Sequence, residues 1–233
     1  MRHELELLLA ETEPERAFCR LAELGVLTVL NPDLHCGDWF QAKAVELRDQ
    51  MRQTQNPASQ APPPTLAPAV TSAGVTLAPD AAPRLYLALF TYDMPAESLQ
   101  AFNGKYHLRK SYRDLLGEVA QLRKQLPRLG RNGLKPSEIV AILDETSDEA
   151  RLLIRVATDS WLVQQRLDQY QRRLRHIRSI LTGDDLRQMG LPPGRLYSQI
   201  LTRLRAALLD GEIASREDEE RLVRDMLDRG SNE

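Results

Sequence analysis

The 233-residue chain is poor in cysteine (two), histidine (four) and aromatic residues (5%). Cys19 and Cys36 stand far apart and outside any C-x-x-C pair. That spacing argues against a disulfide scaffold or a zinc finger and fits a reducing cytoplasm. His35 beside Cys36 has no further ligand-like cluster nearby, so no metal site is expected. No apolar run of about 18 residues occurs, and no basic-then-apolar leader opens the sequence. The expectation is a soluble, cytoplasmic chain with no membrane role. Phosphate-binding G-x-x-x-x-G-K-[ST] and G-x-G-x-x-G loops are missing, as are H-E-x-x-H and G-x-S-x-G. Asp184-Asp185 lies at a helix start with no third carboxylate, which suits capping better than a pair of metal ions. No catalytic residue is nominated.

What the chain does have is patterned charge. Its net charge of −2 conceals blocks of opposite sign. Residues 1–50 carry −5, residues 105–135 carry +7, 136–150 carry −5, 151–205 carry +7 and 206–233 carry −5. Two separate basic blocks in a nearly neutral chain fit a polyanionic partner such as RNA. The competing reading is that these arginines and lysines merely solvate helix faces.

The periodicity is helical throughout, and an all-α fold follows: an elongated multi-helix array with no significant sheet. Short helices are expected from Glu4 to Leu9, behind Thr12-x-Pro14 up to Gly25, over Val26 to Leu30, and from Trp39 to about Gln53. Residues 54–83 lack period and charge and contain Pro62-Pro63-Pro64, which reads as a flexible connection. Helices resume with the apolar Leu85–Phe90, then after Met94-Pro95. Lys105, Arg109 and Arg113 recur every four residues and share one face if helix continues through them, Lys110 lying beside. Gly104 is the expected place for any break. Leu115, Val119, Leu122 and Leu126 form a buried seam, and Lys135-Pro136-Ser137-Glu138 opens the next helix. The longest helix is expected from about Asp148 to Leu181, with a break before Trp161. Its inner seam is Val163, Leu167, Tyr170, Leu174, Ile177 and Leu181. Arg166, Arg172, Arg173, Arg175 and Arg178 lie off that seam, toward water, and Arg172, Arg175 and Arg178 form a strip suited to phosphates. At the end, Thr182 or Asp184 caps a short helix that stops at Gly190. A Gly/Pro turn through Gly194 follows, able to offer backbone N–H groups to a phosphate. Asp210-Gly211 ends the next helix, and Ser215 with Asp218 opens the last.

Three stretches together resemble the region downstream of the catalytic head in class II tRNA nucleotidyltransferases and bacterial poly(A) polymerases. Glu4-Leu-Glu-Leu-Leu-Leu9, Ala22-Glu-Leu-Gly-Val-Leu27 and Asn31-Pro-Asp-Leu34 are similar to the family's neck. Leu85 to Leu126 resembles its helical body. Thr182 to Glu220 resembles its tail, through T-G-x-D-L (Thr182–Leu186), G-L-x-P-G (Gly190–Gly194), L-D-G-E (Leu209–Glu212) and R-E-x-E (Arg216–Glu219). The implied organisation is a neck-like segment 1–53, an inserted connection 54–83, a body 84–181 and a tail 182–233. Where the family often has Pro-Gly-Pro and a later Gly, this chain has Pro193-Gly194-Arg195 and Ser198.

The Gly-Ser strand motif and Asp-x-Asp metal pair of the family head are not in the sequence. The resemblance therefore implies binding of tRNA or another structured RNA at its 3′ region, with adenylyl or cytidylyl transfer left to a separate head. No cofactor is expected for these residues, since Mg²⁺ and nucleoside triphosphate would enter only with that head. A homo-oligomer is compatible with the sequence. The residues expected to hold RNA are Lys105, Arg109, Lys110, Arg113, Arg172, Arg173, Arg175, Arg178, Gly190, Gly194 and Arg195. A helical protein–protein adaptor without a nucleic-acid role is the second reading.

Overall fold

A computed structural model describes residues 2–55, 77–191 and 194–230. Among them there are helices and turns and no strand, so the chain is all-α as its periodicity implies. Most of the expected connection 54–83, with its proline run, lies outside the described residues. Its expected end at 83 is too late, because α5 already begins at Ala81.

The chain divides into two compact units: Met1–Gly130 with Glu145–Leu167, and Arg131–Asp144 with Asp168–Glu233. The first contains α1 (Arg2–Leu9), α2 (Pro14–Glu23), α3 (Val26–Leu30), α4 (Asp38–Gln55), α5 (Ala81–Phe90), α6 (Ala96–Tyr106), α7 (Lys110–Leu129) and α9 (Asp148–Ala157). Its centre is α5, where every side chain from Arg84 to Phe90 is buried. A helix apolar nearly all round must be enclosed by others, and α5 packs against α1, α4, α7 and α9. Burying Leu85, Leu87, Leu89 and Phe90 contributes about 1.5–3 kcal/mol each, together comparable with the net stability of a whole domain. Phe90 stacks on Phe18 at 4.1 Å between centroids and meets Phe40 at 5.1 Å, tying α2 and α4 to α5.

Arg84 is the polar exception on α5. Its guanidinium donates to both carboxylate oxygens of Glu149 on α9 at 2.6 and 3.2 Å, and to Asp80 at 2.7 Å. Pairing of this kind is what allows a charge to be buried. Arg48 of α4 likewise donates to the buried Glu15 and to Glu13. Arg166, expected to face water, is 7% exposed and donates to the Leu129 carbonyl at the end of α7. An orphaned helix C-terminal carbonyl thus recruits an arginine from 37 residues further along the chain.

The two cysteines add a single link that their spacing did not announce. Cys19 in α2 and Cys36 ahead of α4 are joined as a disulfide, Cα to Cα 5.1 Å, across 17 residues of sequence. Sequence spacing concealed this because α3 folds back between them.

The second unit is built from α8 (Pro136–Leu143), the end of α10 (Trp161–Arg172), a 3₁₀ turn (Leu174–His176), α11 (Gly183–Gln188), α12 (Arg195–Leu209) and α13 (Arg216–Gly230). Leu181, Leu186, Leu191, Ile200, Leu204 and Val223 form its core. The long helix expected from Asp148 to Leu181, with a break before Trp161, is three pieces. The break before Trp161 falls where expected, and Gln164 Nε2 donates to the Arg155 and Thr158 carbonyls at the end of α9. A second break, unforeseen, comes at Arg173. Beyond it the backbone N–H groups of Ile180 and Leu181 donate to the carboxylate of Glu219 at 2.9 and 2.8 Å. Arg205 donates to the Ile177 carbonyl at 2.9 Å. These long-range bonds replace the helical ladder that local propensity favours.

The tail's capping follows the sequence closely. Thr182 accepts from Asp185 N while Asp185 accepts from Thr182 N, a reciprocal box. Ser215 and Asp218 form the same arrangement at the start of α13. Asp210, at the end of α12, accepts from the backbone N–H and hydroxyl of Ser137, fixing the start of α8.

Candidate nucleic-acid interface

In the first unit the basic candidates gather where α6 ends and α7 begins. The expected four-residue face does not form. Helix α6 passes through Gly104 without interruption and ends at His107, in the left-handed region with φ 49°. Lys105 therefore belongs to α6, Arg109 is the N-cap of α7, and Lys110 and Arg113 occupy its first turn. Leu108, buried between the two helices, anchors the reversal.

Three of these four cations already have partners. Lys105 donates to the Leu30 carbonyl at 2.9 Å, covering the end of α3. Arg109 pairs with Glu6 of α1 at 3.0 Å, and Lys110 with Asp114 at 2.5 Å. Arg109 and Lys110 are well exposed, and surface pairs of this kind contribute at most about 1 kcal/mol, so a phosphate can compete for them. Arg113 is exposed and has no partner among the described residues. It opens onto a cleft of about 430 Å³ with Gln100, Asn103, Gly104, His107 and Leu108.

In the second unit the Arg172–Arg178 strip loses its helical basis, since α10 stops at Arg172. Arg172 and Arg173 are exposed and without side-chain partners among the described residues. Arg175 is partly buried and donates to Gln171 at 2.7 Å, while Arg178 turns to the Ile177 carbonyl at 3.1 Å. Two cations of the four thus remain available at full strength.

The turn after α11 is a helix ending. Met189, Gly190 and Leu191 donate their N–H groups to Asp185, Arg187 and Leu186 carbonyls at 3.0, 3.0 and 3.2 Å. Gly190, at φ 85°, supplies the left-handed residue such an ending needs. Those N–H groups are spent within the protein and are not offered to a phosphate. Pro192 and Pro193 lie outside the described residues. Gly194 is extended, at φ 168°, a conformation open to any residue. Arg195, first in α12, is exposed and unpaired among the described residues.

The carboxylates of the tail serve structure. Asp185 is held down to about 2 by hydrogen bonds from Thr182 and then Arg216. Asp218 is lowered by the Ala214 N–H and the Ser215 hydroxyl. Burial works to raise Asp144, but hydrogen bonds from Arg205 and Tyr170 outweigh it and leave it lowered. Among the described residues no group of three or more His, Cys, Asp or Glu is placed to hold a metal. No helix among them is long and apolar enough to cross a membrane.

No protein-family model matches the chain. Over 229 residues it is 27% identical to the A-adding tRNA nucleotidyltransferase of Geobacter sulfurreducens, covering 95% of this chain and 24% of that protein. Among solved structures, the fold matches the Thermotoga maritima CCA-adding enzyme complexed with tRNA at a TM-score of 0.67 and 18% identity. It matches a CCA-adding enzyme in complex with CTP at 0.67 and 19%. Each match covers 97% of this chain and 50% of the solved one. The chain spans about a quarter of the length of the curated relative and half that of the solved enzymes. In sequence the chain is similar to an A-adding tRNA nucleotidyltransferase, and in fold to CCA-adding enzymes, each over part of that protein's length.

Proposed function

We propose that this chain is an RNA-binding, specifically tRNA-binding, helical region that positions an RNA 3′ end for nucleotide addition. The chemistry would be supplied by a nucleotidyltransferase head that these residues do not contain. The observation that carries the reading is the match of 95% of the chain to a tRNA nucleotidyltransferase. It is supported by exposed arginines that the fold leaves unpaired among the described residues: Arg113 in the first unit, and Arg172, Arg173 and Arg195 in the second. Such side chains give up little on meeting a phosphate, because they leave only water behind. Lys105, Arg109, Lys110, Arg175 and Arg178 act in a supporting role, each exchanging an existing partner for phosphate. Gly190 contributes by ending α11, and Gly194 stands directly before Arg195 at the start of α12.

The test is tRNA binding by the full chain across a salt series. Replacing Arg113, Arg172, Arg173 and Arg195 together by Gln removes four phosphate contacts. The log–log salt slope should become shallower by roughly 3–4, and affinity at low salt should drop by on the order of tenfold or more. Helical content should be unchanged. Binding unaffected by the fourfold replacement would refute the assignment of these residues. Absence of tRNA binding by the unaltered chain at low salt would refute the function.

A further inference from the structure

The cleft beside Arg113 is more than a patch of charge. Gln100, Asn103, Gly104 and His107 follow the i, i+3, i+4, i+7 spacing that sets residues on one side of a helix, and all four line it. An ideal Cβ at Gly104 would meet nothing within 4 Å, so the missing side chain keeps the cleft open. Asn103 Oδ1, behind the cleft wall, is buried and has no hydrogen-bond partner among the described residues. His107 is the only non-glycine residue with positive φ among the described residues. A glycine would make that turn at lower conformational cost. Histidine held there despite the strain points to a use for its ring, which is exposed at the cleft.

We propose that this cleft receives one unpaired nucleotide of a single-stranded RNA segment. The inference rests on the RNA-binding reading above. Gln100 supplies an exposed amide that both donates and accepts, the kind of group that reads a base edge, and the His107 ring gives a face for stacking. Arg113 meets the adjoining phosphate. Among the described residues that line it, Leu108 is the one with an apolar side chain and none is a carboxylate, which suits a polar anionic ligand. The cleft, about 430 Å³ in volume, is open to solvent, so an unpaired nucleotide can enter it directly.

Two substitutions separate this pocket from general charge. Gly104→Leu fills the cleft without altering charge, and the helical backbone there accepts a side chain. His107→Gly relieves the left-handed residue while removing the ring. The measurement is fluorescence anisotropy with the full chain, using labelled A6, C6 and U6 oligoribonucleotides and a labelled tRNA, with circular dichroism as the folding check. The unaltered chain should rank the three hexamers over about a tenfold range, the discrimination expected for one base contact. Both variants should fold, bring the three affinities to a common value, and keep the salt slope for tRNA. Arg113→Gln should weaken all probes alike. If tRNA binds but the hexamer ranking is flat in the unaltered chain, or survives both substitutions, the pocket is overturned and the RNA-binding reading stands. If the unaltered chain binds no tRNA, that reading falls and the pocket with it.

Discussion

Glu219 is the residue on which the second unit should depend most. It is fully buried, and its two carboxylate oxygens accept the N–H groups of Ile180 and Leu181 at 2.9 and 2.8 Å. A hydrogen bond to a charged group contributes about 1.5–3 kcal/mol, and a buried donor left alone costs about 1–3 kcal/mol. Glu219→Ala orphans both donors. The Leu181 N–H is enclosed, whereas that of Ile180 is only partly buried and can regain water. The expected loss is about 3–5 kcal/mol. Glu219→Gln keeps one acceptor and turns an amide donor toward the other N–H, for an expected loss of about 1.5–3 kcal/mol. The assay is urea unfolding followed by circular dichroism, with hydrogen exchange read at residues 180 and 181. Glu217→Ala, an exposed neighbour in the same turn, should change stability by less than about 0.5 kcal/mol. A loss below about 1 kcal/mol for Glu219→Ala, with unchanged exchange at those amides, would refute the claim that this carboxylate holds the non-helical segment in place.

Three further outcomes follow from other contacts. Arg84→Met should cost about 3–5 kcal/mol in urea unfolding, since it leaves Glu149 partly buried and uncompensated, whereas the double replacement with Glu149→Leu should recover most of the loss; equal losses in both would contradict that. The carboxyls of Asp144, Asp185 and Asp218 all lie below their ordinary values in the folded chain. Groups lowered by folding stabilise above their unfolded values, and that stability disappears as pH falls through the folded ones. Unfolding followed against pH should therefore show the second unit weakening from about pH 4 down to about pH 2, and Thr182→Ala should remove part of that dependence. The Cys19–Cys36 bond closes a loop spanning 17 residues of sequence, so reduction should lower the stability of the first unit by about 3 kcal/mol in the loop-entropy model. Mass spectrometry of the unreduced chain should recover the linked peptides, and a chain with two free thiols under air would contradict the pairing.

Features written in neighbouring residues were legible in the sequence. Of the expected seam, Leu115, Val119 and Leu122 are buried because their 4, 3 spacing matches the helix repeat, while Leu126, near the end of α7, is half-buried. The boxes at Thr182–Asp185 and Ser215–Asp218 form because their partners are three residues apart. What escaped were features decided by contacts far along the chain. Helix α10 stops at Arg172, and no glycine or proline lies between there and Leu181. The segment beyond it is held by Glu219 and Arg205. Gly104, a weak breaker on its own, stays helical, while His107 ends α6 with its carbonyl held by Arg2 at 3.2 Å, 105 residues away. Arg109 looked available from its neighbours alone, yet Glu6 claims it from α1. The basic blocks could be seen in composition. Which of their members remain free depends on the fold, and that distinction moved the emphasis to Arg113, Arg172, Arg173 and Arg195.

The central claim is most directly tested by the affinity of the full chain for tRNA, measured by anisotropy from about 50 to 200 mM salt. Binding at low salt should weaken steeply over this range, with a log–log slope that becomes shallower by roughly 3–4 when Arg113, Arg172, Arg173 and Arg195 are replaced by Gln. A chain that ignores tRNA at low salt, or binds it with the same slope after that replacement, would contradict the account.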